Sequence, residues 1–202
     1  MLEVDRIYET LNTCMITKEF ALKLYSMASK CTKGIIVEIG SNLGCSTISI
    51  ATGVRDSGSG IKFVSIDPHN NGGATLTDRP CQEKDMGELE ANYINQGINL
   101  DEYLCNLEEF GVFNIVTVIC DYSELAYDKW KKEPIEMLFI DGDHRYHFVK
   151  MDTDLYLPHV IKGGYVILDD CAYPGVFRII EELKEQGIIE PVEERFGIYR
   201  KL

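Results

Sequence analysis

Residues 37–51, VEIGSNLGCSTISIA, decide the fold. An apolar β-branched run carries Glu38, a turn holds Gly40 and Gly44, and a stretch with helical spacing begins near Ser46. That first run opens as GIIVEIG at 34–40, and four others share its character: KFVSID at 62–67, NIVTVIC at 114–120, IEMLFID at 135–141 and GYVILDD at 164–170. Short apolar runs without alternation are strands buried on both faces, as in parallel sheets. Leu100, Tyr103, Leu104 and Leu107 fall at helical spacing between two such runs, as do Val176, Ile179, Ile180 and Leu183 after Pro174. Strand and helix therefore alternate, which calls for an α/β fold, an open parallel sheet with helices on both faces.

The flanks complete the plan. Val4, Ile7, Tyr8 and Leu11, then Phe20, Ala21, Leu24, Tyr25 and Ala28 behind the cap residue Thr17, predict helices over about 1–33. The tail GIIEPVEERFGIYRKL offers two short strand runs with no helix between them, so the sheet ends in an antiparallel hairpin. The long connection at 68–99 opens with the turn-rich PHNNGGATLTDRP and reads as a lid or specificity insert within one domain spanning 1–202.

Composition narrows the partners. A chain of 202 residues with 45% apolar and 26% charged residues can bury a core unaided. Its formal charge of −13 opposes nucleic-acid and anionic membrane surfaces. Seven scattered cysteines without a C-x-x-C pair argue against zinc and against a disulfide framework. No stretch has the length of a membrane span, and MLEVDRIYETLN lacks a basic region followed by an apolar one, so a reducing cytoplasm is expected.

The loop after the first strand sits where ligands bind in open parallel sheets. A phosphate-binding loop needs lysine and a hydroxyl after its second glycine, but Cys45 follows Gly44. The dinucleotide fingerprint fails as well, because Asn42 and Ser46 occupy its second and third glycine positions. Glu38 would repel a pyrophosphate, yet it could accept from an ammonium or orient the loop. The expected ligand is thus a nucleoside with a cationic tail, which S-adenosylmethionine satisfies. Its contacts are expected from Glu38, Gly40, Ser41, Asn42, Gly44, Ser46 and Thr47. Asp67 ends the second strand within reach of ribose hydroxyls, and Asp121 with Tyr122 follows the third strand on the adenine side. A lone acid at a strand end is more often a cap or a solvated turn residue.

Taken together, VEIGSNLGCST, IDP, CDYSEL and FIDGDHRY…DLYLPHVIKGGYVILDD resemble the motifs of class I S-adenosylmethionine-dependent methyltransferases. They are most similar to the metal-dependent O-methyltransferase branch that includes macrolide sugar methyltransferases and cephalosporin-hydroxylase-like proteins. The resemblance runs from about residue 17 to the end and covers 68–99 poorly. It implies a Rossmann-like seven-stranded sheet and a divalent metal, Mg²⁺ by its all-oxygen ligands, held by Asp141, Asp169 and Asp170. Asp141 would also border the cofactor. On that pattern the chain transfers a methyl group to a hydroxyl of a small acceptor such as a sugar or phenol. Metal coordination would activate the hydroxyl, and His144, on the same rim, is the candidate general base.

Structural roles compete at each position. Asp143 could cap a helix, or replace or assist Asp141, and Asp170 could cap the segment leading to Pro174. A non-catalytic S-adenosylmethionine-binding module would keep Gly40, Gly44 and Asp67 without needing Asp141, Asp169, Asp170 and His144 together. An NAD-dependent oxidoreductase is disfavoured by the absent glycines. Tyr173 and Arg145 are candidate acceptor contacts, and the N-terminal helices could supply an apolar face for a homo-oligomer.

Overall fold

The computed structural model describes residues 6–8, 11, 14–69 and 100–202. The earliest N-terminal helix falls largely outside the described residues, and so does the insert from 70 to 99. Helix α1 spans Lys18–Ala28; the Thr17 side chain accepts from the Phe20 amide at 3.2 Å, the expected cap. It buries Phe20, Ala21, Leu24, Met27 and Ala28 along one stripe.

Strand β1 (Ile35–Ile39) leads into α2 (Cys45–Ser57), and β2 covers Phe63–Ile66. After α3 (Leu100–Glu109) come β3 (Val116–Ile119), α4 (Ser123–Lys129), β4 (Ile135–Ile140), α5 (Tyr146–Tyr156) and β5 (Val160–Leu168). Helix α6 (Pro174–Glu185), β6 (Ile189–Glu193) and β7 (Ile198–Lys201) finish the chain. The sheet has seven strands in the order β3-β2-β1-β4-β5-β7-β6. The first five are parallel, whereas β7 pairs antiparallel with both β5 and β6. That is the Rossmann-like sheet with an antiparallel end read from the sequence.

Two layers of side chains cover the sheet. Ile36, Phe139 and Ile167 face α1, α2 and α3, while Val37, Leu138 and Val166 face α4, α5 and α6. Every residue of β1 is buried, as its unbroken apolar run required. Strand β3 departs from the expectation of two buried faces, because it is the sheet edge and is only partly covered. Strand β5 begins at Val160 rather than 164: Val160 pairs with Ile135, and the ladder resumes with Tyr165 opposite Met137 after an irregular stretch.

Helix α1 and the β6–β7 turn meet above the carboxyl edge of the sheet. The Phe196 ring, in the short turn Glu194–Phe196 between β6 and β7, stacks on Phe20 of α1 with centroids 5.5 Å apart. Lys23 donates to Glu193 at 2.8 Å, and Arg195 to Glu19 at 2.6 Å.

The structure holds a cysteine pair that the sequence did not signal. Cys14 and Cys45 form a disulfide, with their Cα atoms 5.6 Å apart. Their spacing carries no pairing signal; the fold lays the segment before α1 across the start of α2. Among the described residues Cys31, Cys105, Cys120 and Cys171 stay free.

Candidate active site

In this strand order the chain reverses direction of travel between β1 and β4, and the loops after those strands part to leave a crevice. A cleft of about 960 Å³ occupies that place, bounded by the β1–α2 loop, the ends of β2, β4 and β5, the start of α1 and the β6–β7 turn. Its size suits a cofactor with a small co-substrate.

The glycine loop is built on left-handed backbone. Gly40 has φ +85°, Asn42 +49° and Gly44 +95°. A Cβ on Gly40 would strike the backbone carbonyl of Asp141, so this glycine is needed for close packing of β1 on β4. Gly44 precedes α2 without a side-chain cap, and a Cβ there would press on the Tyr103 ring. The first amides of α2 are therefore not satisfied by a capping side chain.

Asp67 holds this loop. Its Oδ2 accepts from the amides of Ser41 and Asn42 at 2.8 and 3.0 Å, and its Oδ1 accepts from the His69 amide at 2.7 Å. The carboxylate still lines the cleft. Three of its roughly four acceptor positions are thus occupied, leaving room for one ligand hydroxyl.

Glu38 lies behind the loop, fully buried. Thr47 and Ser65 hydroxyls donate to its Oε2 at 2.6 and 3.0 Å, and Tyr103 donates to Ser65 at 3.0 Å. Burial pushes the Glu38 carboxyl up to about 7, with the hydroxyl bonds opposing it. Glu38 thus ties the start of α2 to β2 beneath the loop.

The remaining expected cofactor contacts divide. Gly40, Ser41, Asn42, Ser46, Tyr122 and Asp141 face the cleft, whereas Gly44 and Thr47 lie beneath it with Glu38. Asp121 does not line the cleft: its Oδ2 is taken by Lys129 and its Oδ1 by the Tyr122 amide. The expected contact of Asp121 with adenine finds no support in this geometry, for Lys129, the last residue of α4, holds the carboxylate away from the cleft.

Opposite the loop stands the acid cluster. Asp141, at the end of β4, and Asp169 and Asp170, at the end of β5, all line the cleft with His144. Nε2 of His144 is 3.2 Å from Asp170 Oδ2 and 3.8 Å from Asp141 Oδ1. Ligand atoms of Asp141, His144 and Asp170 lie within 4.8 Å of one another, a spacing that one cation could bridge. This trio differs from the sequence set in including His144 and leaving out Asp169, whose Oδ1 accepts from the Asp170 amide at 2.8 Å. Loss of water contact pushes the Asp141 carboxyl up to about 8; His144 pulls it down, while Asp169 and Asp170 add to the rise. Asp169 is raised too, chiefly by burial. Carboxylates so crowded favour a bound cation, and the donor set fits a divalent metal. Asp170 itself holds a φ of +50°, an uncommon strained setting for a non-glycine residue.

Asp143 does not belong to the cluster. Both of its oxygens bind Arg145, with Nε at 2.9 and 3.1 Å, and Oδ1 also accepts the Arg145 amide at 3.0 Å. The pair lies just before α5, whose cap position is Arg145 and which has no side-chain cap, so Asp143 braces the turn ahead of the helix and does not cap it. Tyr173 stands at the cleft mouth, 43% exposed, its ring centred 4.8 Å from that of His144.

Two residues escaped the sequence reading. His69 is buried against Tyr103, ring centres 4.5 Å apart, with Nε2 3.4 Å from Ser41 Oγ beneath the loop; it sat in a stretch that reads only as turn. Asp152 lines the cleft from α5 and accepts from Ser123. A signal for it existed: it falls on the apolar stripe of Phe148, Val149, Thr153 and Tyr156, where an acid is out of place.

Comparison with known proteins agrees with this architecture. Residues 37–171, about two thirds of the chain, match the family model described as a methyltransferase domain. The O-methyltransferase NovP has a similar structure, with a TM-score of 0.76 and 16% identity over 93% of this chain and 81% of that one. TomG of Streptomyces achromogenes, solved in complex with S-adenosylmethionine and involved in tomaymycin synthesis, gives 0.60 and 16% over 98% and 83%. The uncharacterized protein R132 of Acanthamoeba polyphaga mimivirus is 56% identical over 36 residues, a match covering 18% of this chain and 16% of that protein. The chain therefore belongs to the methyltransferase-domain family, with the fold of the class I S-adenosylmethionine-dependent O-methyltransferases.

Proposed function

We propose that the protein transfers a methyl group from S-adenosylmethionine to a hydroxyl of a small molecule, a sugar or a phenol, with a divalent metal, Mg²⁺ by preference, at the acid cluster. The observation that carries this reading is that the glycine loop with its Asp67 clamp and the Asp141–His144–Asp170 cluster open into one cleft. Six aspartates line that cleft against Arg195 and His144, among the described residues, so it selects a sulfonium and a cation and rejects polyanions. The acceptor is therefore a small neutral molecule rather than nucleic acid or a membrane. Among the described residues no helix is long and apolar enough to cross a membrane. Four described cysteines remain unpaired, which suits the cytoplasm as the working compartment.

In the reaction the acceptor oxygen attacks the methyl carbon in line, the carbon–sulfur bond breaks, and S-adenosylhomocysteine leaves. Asp141, Asp170 and Asp169 would hold the metal, which when bound lowers the hydroxyl pKa and fixes its oxygen. His144 takes the proton on Nε2, and Asp170 beside it stabilises the imidazolium that results. Asp67 orients the ribose, and Ser41, Asn42 and Ser46 border the nucleoside.

Calorimetric titration with S-adenosylmethionine, with Mg²⁺ and after chelation, tests the assignment. Binding of both, with the Mg²⁺ heat lost in Asp141→Asn, is the expected result. No heat with S-adenosylmethionine in either condition would overturn it.

A further inference from the structure

Leu11, Met15, Ile16 and Thr17 wall the same cleft that the glycine loop floors. Met15 is 58% exposed, while Ile16 is anchored through its carbonyl, which accepts from Tyr8 Oη at 2.6 Å. The disulfide joins Cys14, directly before this wall, to Cys45, directly after Gly44 and first in α2. It thus ties the wall to the end of the loop that borders the nucleoside. Both cysteines pack only partly buried against the core, so a small disulfide reagent can reach them. Cys45 sits among the free amides of a helix start, a setting that favours an anionic, nucleophilic sulfur.

We propose that Cys14 and Cys45 form a reversible modification site, oxidised by low-molecular-weight disulfides of the glutathione class, which straps the Cys14–Thr17 wall onto the cofactor cleft. The inference rests on the cofactor reading above. The Cys45 thiolate attacks one sulfur of oxidised glutathione, forming a mixed disulfide as the first glutathione thiolate leaves. Cys14 then attacks the Cys45 sulfur, the protein disulfide forms, and the second glutathione leaves. Two cysteine thiols are oxidised by two electrons in total, oxidised glutathione is reduced by two, and the cysteine protons pass to the two glutathione thiolates through water. In a reducing compartment such a pair reports an oxidising shift. The strap orders the wall before the cofactor arrives, so less conformational freedom is lost on binding and affinity rises.

The full chain is reduced with dithiothreitol or treated with oxidised glutathione. Each form is examined by non-reducing peptide mapping, by hydrogen exchange at residues 14–17 and by titration with S-adenosylmethionine. Oxidation is expected to yield a linked Cys14–Cys45 peptide, slow exchange at 14–17 and tighten S-adenosylmethionine binding about tenfold. Cys14→Ser should bind as the reduced protein does whatever the oxidant. Absence of the linked peptide overturns the proposal, as does a linked protein whose exchange and affinity match the reduced form. Should neither form bind S-adenosylmethionine, the methyl-transfer reading fails; slower exchange at 14–17 would then still uphold the strap, and unchanged exchange would overturn it.

Discussion

Nε2 of His144 stands 3.2 Å from Oδ2 of Asp170, across the gap between the ends of β4 and β5. The proposed base and one of the proposed metal ligands thus share one face of the cleft, and their roles separate by experiment. His144→Ala should lower turnover about a hundredfold or more while Mg²⁺ affinity changes less than about threefold. Loss of Mg²⁺ binding in this variant would instead make His144 a ligand.

Asp141→Asn and Asp170→Asn should abolish the Mg²⁺ heat in calorimetry and leave S-adenosylmethionine affinity within about twofold, because the cofactor loop is held from Asp67. Retained metal binding in both variants would place the cation elsewhere.

Gly40→Ala should destabilise the fold by about 2 kcal/mol or more, since its Cβ meets the Asp141 backbone at φ +85°. Thermal melting checks this. A variant with unchanged melting temperature would contradict the packing role given to Gly40.

Stability should depend on pH with a defined sign. Glu38 ordinarily titrates at 4.5 but is held up to about 7 in the fold, and Asp141, ordinarily 3.8, up to about 8. Over those windows the folded state holds more protons than the unfolded one, so stability is full below about 4 and falls as pH rises toward about 8. Glu38→Gln should flatten the part between 4.5 and about 7. Mg²⁺ should raise the melting temperature most near pH 8, where the cation displaces the proton from Asp141. Melting curves across this range, with and without Mg²⁺, decide the matter.

Asp67→Asn keeps the shape but replaces one acceptor oxygen of the clamp with an amide donor. A loss of about 1 to 3 kcal/mol in stability is expected, together with at least tenfold weaker S-adenosylmethionine binding by titration.

The sheet was legible because its signals are local. The unbroken run of β1 could only be buried on both faces, and the tail runs around Gly197 had no room for a crossover helix. The acids at the ends of β4 and β5 followed from those same strands. What stayed hidden depends on contacts between distant residues. Asp121 was placed by its strand end, but the direction of its side chain is set by Lys129 across the first turns of α4. Gly40 was read for its approach to a ligand, and its second constraint, the Asp141 backbone a hundred residues on, left no trace in the sequence. The Cys14–Cys45 bond and the buried His69 arise from loops whose paths no periodicity encodes.

The stack of Phe196 on Phe20 bears on the order in which the protein matures. Arg195 and Phe196 line the cleft, yet they come from the turn before the last strand. A chain emerging from the ribosome already carries the glycine loop and the acids once β5 and the residues after it are out, but one wall of the cleft is still missing. Cofactor capture therefore awaits synthesis of the β6–β7 turn, and premature termination before Arg195 would leave a methyltransferase frame with an open side.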